Sequence, residues 1–189
     1  MHRRSFLLAA AGAAAAAGLP RLSSAAQIDT ARFEDKLKAR DITLKLQGAG
    51  LLYYKYIVKA VAAALYIDER VAPSEVLGDV TKRLEMEYFW GVSAKDLVKG
   101  SETLLARNLP AQQVAALRTR IDQMHSFYQD VKPGDRCSFT YMPGIGTWLT
   151  LNGKILGTVP GADFAEAYFS IWFGKQPMDA GLKQKLLGL

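Results

Sequence analysis

The sequence predicts an α+β fold, an antiparallel sheet of about six or seven strands with helices packed on one face. Three observations predict it. Residues 147–159 place β-forming runs on either side of Asn152-Gly153, the pattern of a two-residue hairpin. Residues 51–67 form a long apolar and aromatic run, too rich in tyrosine and β-branched residues at its ends for an ordinary helix. Residues 93–128 carry helix-start signals followed by apolar residues at i+3 and i+4.

The elements follow in order. Thr43 to Gln47 alternates as a strand, and Gly48 and Gly50 allow a turn or a bulge. In the run from Leu51 to Ile67, alternation puts Lys59, Val61, Ala63 and Leu65 on one face. Val58, Ala60, Ala62, Ala64 and Tyr66 fall on the other. Both faces are apolar beyond Lys59, so this strand is expected to be central and covered on both sides. Pro73 to Leu77 reads as a short helical turn. Lys82 to Trp90 reads as a strand with Leu84, Met86, Tyr88 and Trp90 set against Lys82, Glu85 and Glu87. Ser93 to Asp96 starts a helix running to about Arg107. Pro110 opens a second helix, with Val114, Leu117, Ile121, Met124 and Tyr128 on one stripe. Arg136 to Tyr141 is a strand leading into the final hairpin. Pro160-Gly161 breaks the sheet, Phe164 to Trp172 forms a helix apolar enough to be buried, and Asp179 to Leu187 closes the chain as an amphipathic helix.

The N-terminus reads as an address. His2-Arg3-Arg4-Ser5-Phe6-Leu7 is a twin-arginine pattern, followed by an alanine-rich run and by Ser24-Ala25-Ala26, small residues suited to cleavage before Gln27. The apolar run from Ser5 to Leu19 falls short of the roughly 20 residues a spanning helix needs. The expectation is therefore a signal peptide over residues 1–26, export by the twin-arginine route, a periplasmic location and no membrane anchor after cleavage. Residues 27–189 then form one domain, with enough chain for a sizeable core. The signal contains Arg3, Arg4 and Arg21 and no acid, so its removal lowers the formal charge from +6 to +3. No Lys/Arg cluster interleaved with aromatics remains, which argues against nucleic acid as a partner.

Cys137 is the single cysteine, so no intramolecular disulfide forms, and its alternating strand context points to a buried thiol. His125 is the one histidine outside the signal. It reads as a helix-surface residue, and histidine-based metal sites and Ser-His-type triads are disfavoured. No metal and no cofactor is expected.

Several segments taken in order, Gly48-Ala49-Gly50, the strand ending in Leu65-Tyr66-Ile67, Asn152-Gly153-Lys154 and Pro160-Gly161-Ala162-Asp163-Phe164-Ala165, resemble the chalcone isomerase-like family, in particular a short exported bacterial branch. The resemblance covers nearly all of residues 32–188 and implies an open-faced β-sandwich. Its enzymes close a flavanone ring, which requires a cation to hold a phenolate or ketone and hydroxyl or amide donors to stabilise the enolate. Carried over by motif, the family arginine after the Gly-Ala-Gly turn falls on Leu52, and the catalytic threonine after Val58-Lys59 falls on Val61. The tyrosine before the Ser-x-Lys helix start falls on Val92, the following asparagine on Lys99, and the hydroxyl residue before Glu166-Ala167 on Ala165. The pattern thus keeps a cleft and loses its chemistry, and no catalytic residue is assigned.

The candidate cleft comprises Leu52, Tyr54, Lys59, Val61, Val92, Lys99, Ala165 and Tyr168. Lys55 or Lys59 could supply a point charge at its mouth, or both could be solvated edge residues. The leading function is a non-catalytic periplasmic protein that binds a hydrophobic or amphipathic small molecule, fatty acid-like, as some members of the family do. Two alternatives stand beside it: an isomerase of the intramolecular-lyase type with a rebuilt site that draws on Lys59, Lys99 and the tyrosines, and a structural or assembly protein whose cleft is filled by its own side chains.

Overall fold

The computed structural model describes residues 26–54 and 57–189. Of the expected signal peptide only Ala26 falls within them, so the export reading lies outside the described residues.

A short hairpin, β1 (Ala26–Ile28) and β2 (Ala31–Phe33), precedes the main sheet. The sheet contains β3 (Lys36–Ala39), β4 (Ile42–Tyr54), β5 (Val58–Asp68), β6 (Lys82–Tyr88), β7 (Arg136–Met142), β8 (Gly146–Leu151) and β9 (Lys154–Val159). They lie side by side in chain order, every neighbour antiparallel, and curl into a half-barrel. Between β6 and β7 the chain makes α1 (Ala94–Asn108), α2 (Ala111–Ala116) and α3 (Arg118–Ser126). After β9 come α4 (Ala162–Phe173) and α5 (Ala180–Leu187). Among the described residues no helix is long and apolar enough to cross a membrane.

Local chemistry sets these boundaries. Ser93 caps α1 by accepting from the Asp96 amide at 3.1 Å, and Asp179 caps α5 by accepting from Leu182 at 2.6 Å. Asn152 and Gly153 both adopt positive φ, 49° and 81°, the two left-handed positions of the predicted tight turn. The expected second helix is divided at Leu117 into α2 and α3. The expected strand from Leu51 to Ile67 falls on two antiparallel strands, the end of β4 and most of β5.

The sheet buries both faces. Val61, Ala63, Leu65, Leu84, Met86 and Phe139 join the larger core beneath the helices, with α4 almost wholly buried against it. Ala62, Ala64, Tyr66, Leu44 and Met142 form a second core, covered by Ala31 and Phe33 of the β1–β2 hairpin. β5 is accordingly central and doubly covered, as its composition predicts.

Two bulges decide which side chains reach which core. In β4 the pairing with β5 slips between Leu46 and Gly48. One extra residue, Gln47, reverses the alternation, so Leu44 and Leu46 face the second core and Leu52 faces the helices. The Gly-Ala-Gly segment is therefore bulged strand and not a turn. A second slip lies between Leu52, paired with Val61, and Tyr53, paired with Lys59. Ala60 is the extra residue there, and both Ala60 and Val61 pack on the helical side.

Lys82 also departs from expectation. It shares the parity of Leu84 and Met86 and lies fully buried. Its ammonium donates to the Gly78 carbonyl at 2.7 Å and lies 4.8 Å and 5.2 Å from the ring centroids of Tyr141 and Phe169. Burial pushes its pKa down to about 8 against the pull of Asp79 and Glu166.

Candidate functional site

Between the helical face of the sheet and α1 lies a cavity of about 250 Å³. The sheet supplies Leu52, Ala60, Val61, Met86, Tyr88, Cys137, Phe139 and Leu149. The helix α1 supplies Asp96, Leu97, Gly100 and Ser101 from one face, at the i, i+4 spacing that aligns residues along a helix. Val92 and Val131 close one side and pair with each other through backbone bonds of 3.0 Å and 2.9 Å. Ile171 and Trp172 of α4 complete the wall.

The candidates divide accordingly. Leu52, Val61 and Val92 line the cavity. Lys59 does not: the bulge at Ala60 sends it to the opposite side, where its ammonium meets Asp29 in the β1–β2 turn at 2.7 Å. That hydrogen bond raises its pKa. Lys99 is exposed on α1, beside the face that lines the cavity. Ala165 is completely buried in the core but away from the cavity, since α4 reaches it only with Ile171 and Trp172. The side chain of Tyr54 and all of Lys55 lie outside the described residues.

Tyr168 sits behind the wall. Its hydroxyl makes a short hydrogen bond to that of Tyr128, which lines the cavity and in turn lies 3.2 Å from the Ser101 hydroxyl. The result is a chain of three hydroxyls ending on the cavity surface. Tyr88 forms a second polar point, accepting from the Cys137 thiol at 3.8 Å. Desolvation raises all of these groups: Tyr128 and Cys137 are pushed up to about 12, and Tyr88 and Tyr168 are also raised. They are neutral at physiological pH and can offer neutral hydrogen bonds only. Cys137 is the buried thiol its strand context predicts.

Among the described lining residues none is Lys, Arg or His, and Asp96 is the one carboxylate. Asp96 is an exposed residue in the first turn of α1, engaged by Ser93 at 2.7 Å. Ser101, Tyr88, Tyr128, Gln129 and Thr150 add neutral polar groups, and the rest of the described wall is apolar. Such a site can shelter a hydrophobic molecule and hydrogen-bond an oxygen on it, but its described residues supply no positive charge for a phenolate, an enolate or a carboxylate.

His125 is not a surface residue. It lies one turn beyond Ile121 on the inward stripe of α3, its side chain is 7% exposed, and its Nδ1 is 3.3 Å from Glu102. Burial lowers its pKa. Glu102, Asp122 and His125 bring potential ligand atoms within 4.8 Å of one another. Arg118 occupies that cluster, donating to Glu102 at 2.6 Å and 3.1 Å and pairing with Asp122 at 2.6 Å. A guanidinium already supplies the positive charge there, so the group is an ion-pair network and a poor cation site.

Sequence reasoning missed Tyr128, Ser101, Gly100 and the β7 residues as cavity walls. Tyr128 stood at the end of a recognised apolar stripe, and nothing in that stripe distinguishes a wall from a core residue.

Set beside known proteins, residues 25–188 match the model of the chalcone isomerase-like family. Among solved structures, a fatty-acid binding protein of Arabidopsis thaliana superposes with a TM-score of 0.60, covering 82% of this chain and 91% of that one at 14% identity. At that identity the likeness establishes the fold. No curated protein matches the sequence.

Proposed function

The chain belongs to the chalcone isomerase-like family, and on that footing we propose that it binds a small hydrophobic molecule whose buried part is uncharged, in the cavity between the sheet and α1, and that it does so in the periplasm after twin-arginine export. The observation that carries the reading is the character of the cavity: apolar walls, no cation among the described lining residues, and neutral hydroxyls at Tyr128 and Tyr88.

The fatty-acid binding of the Arabidopsis neighbour is that protein's own property. It agrees with a hydrophobic occupant here, in a narrower form. A carboxylate buried without a counter-charge is strongly disfavoured, so an alkyl chain enters the cavity and any charged head stays at the mouth. The volume, about 250 Å³, lies just under the roughly 300–1,000 Å³ of sites that enclose drug-sized ligands. The occupant is therefore slim, or only partly enclosed.

The reading of the protein as non-catalytic rests on Leu52 and Val61, which stand where the family enzymes carry arginine and threonine, and on the neutral lining. The proposal is tested by thermal denaturation with a panel of medium-chain alcohols, fatty acids, isoprenoids and flavonoids. A ligand present at a hundredfold excess over its dissociation constant stabilises by about 2.7 kcal/mol. A panel without a single shift speaks for the structural role with a self-filled cleft.

A further inference from the structure

The opposite face of the sheet carries a second concavity of different character. There the end of β3 and the β3–β4 turn approach β8 and β9 across the curled sheet, and together they enclose a groove of about 300 Å³. Pairing register sets its floor. Tyr66, Arg83, Thr140, Trp148 and Thr158 lie opposite one another on five successive strands and so point to the same side, away from the helices. Of these, Arg83, Trp148 and Thr158 line the groove. Ile155, 61% exposed, adds an apolar wall, and Lys38 and Arg40 form the rim.

The charges there are unevenly compensated. Arg83 grips Glu85 through Nε and Nη2, both at 3.0 Å, leaving Nη1 with only a 3.5 Å contact to Thr140. Glu85 also meets Arg136, which meets Glu87, so these two arginines and two carboxylates balance one another. Lys38 and Arg40 take part in no ion pair among the described residues, and no carboxylate lines the groove among them. Arg40 is held at the rim from a left-handed backbone, φ 56°, a conformation that glycine or asparagine adopts more readily. The groove thus joins uncompensated positive charge to a half-buried aromatic, Trp148, and an exposed aliphatic side chain, Ile155.

We propose that this groove binds a small amphiphilic anion, its carboxylate or phosphate on Lys38 and Arg40 with Arg83 Nη1 within the same concavity, and its apolar part on Trp148 and Ile155. The two faces of the sheet then divide the chemistry: the cavity under the helices takes an uncharged apolar group, and the groove takes the charged amphiphile. The proposal goes beyond the cavity reading and stands or falls separately from it.

Octyl phosphate is a suitable probe, because Trp148 lies in the groove and Trp172 in the cavity. In the Trp172→Phe protein, octyl phosphate is expected to change tryptophan emission saturably, and in Trp148→Phe that change disappears. The Lys38→Glu/Arg40→Glu double variant, with its fold checked by circular dichroism, weakens binding roughly tenfold or more, as does high salt. If charge reversal unfolds the turn, Lys38→Gln/Arg40→Gln replaces it with the same expectation. Octanol and inorganic phosphate each bind roughly tenfold more weakly than octyl phosphate. Silence from Trp148, unchanged affinity in the charge variants, or equal affinity for octanol or for inorganic phosphate overturns the proposal. A response confined to Trp172 belongs to the cavity and counts against the groove.

Discussion

The backbone of Lys185 lies against Gly48. A Cβ placed on Gly48 would stand 2.1 Å from the Lys185 carbonyl oxygen and 2.8 Å from that of Leu186. Gln47, the bulged residue beside it, donates from its side chain to the Leu187 carbonyl at 2.9 Å. The strand β4 and the helix α5 therefore meet backbone to backbone, and the glycine is required by that approach. Gly48→Ala is expected to lower stability by about 1–3 kcal/mol, since neither carbonyl can move without shifting the helix. Urea denaturation measures the loss, and faster proteolysis near α5 locates it.

Lys82 makes stability depend on pH in a defined direction. Its pKa is about 8 in the folded chain against an ordinary 10.5. Between those values the unfolded chain binds more protons than the folded one, so stability rises with pH across that window and the penalty is full below it. Compared with Lys82→Met, the wild type should gain on the order of 2–3 kcal/mol between pH 7.5 and 10.5. Taking the difference between the two proteins cancels the tyrosines and Cys137, which also titrate in the alkaline range. Denaturation curves at several pH values check this, and a constant difference would show that Lys82 does not titrate as described.

The hydroxyl chain from Ser101 through Tyr128 to Tyr168 predicts unequal effects of two similar changes. Tyr168→Phe removes one hydrogen bond and leaves Tyr128 with Ser101, a loss of about 0.5–1.5 kcal/mol. Tyr128→Phe leaves the buried Tyr168 hydroxyl without its partner, a loss of about 1–3 kcal/mol. In binding, Tyr128→Phe should weaken a long-chain alcohol and spare the matching alkane. Equal weakening of both would mean that the hydroxyl does not meet the ligand.

Export is tested by replacing Arg3 and Arg4 with lysine. The translocase reads paired guanidinium groups, so the lysine precursor should remain in the cytoplasm. Fractionation and immunoblotting report the outcome, and normal periplasmic accumulation removes the twin-arginine assignment.

The order of elements was legible in the sequence because its signals are local: the period-2 alternation, the Ser93 cap, the Asn152-Gly153 turn. The face on which side chains land was less so. Alternation counted straight through Ala60 puts Lys59 beside Val61 and in the cleft, whereas one bulged residue turns it toward Asp29. No residue type marks that bulge. Gly48 and Gly50 hinted at the other one, yet their reason is α5, more than a hundred residues away. For Lys82 the parity of Leu84 and Met86 already pointed inward, and its charge argued the other way; the Gly78 carbonyl and two aromatic rings, set by tertiary packing, resolve the conflict. Of the cleft, Leu52, Val61 and Val92 were found from motifs. Gly100, Ser101, Tyr128 and Trp172 become walls only when α1, the segment after α3 and α4 converge, a relation that no single stretch of sequence contains.

The most direct test of the cavity uses Gly100. It lies within α1 and lines the space, and a Cβ built on it meets nothing within 4 Å. Leucine at that position extends into the void and removes a helix-interior glycine, a change worth somewhat less than the roughly 0.8–1.0 kcal/mol that separates glycine from alanine in helix propensity. The measurement is the stabilisation that 1-decanol confers on the wild type and on Gly100→Leu. The expected result is a ligand-free variant more stable than the wild type, with the decanol-dependent gain seen in the wild type abolished. A variant that keeps the full decanol-dependent gain would place the ligand elsewhere, and a variant that is destabilised would show that the space is not empty.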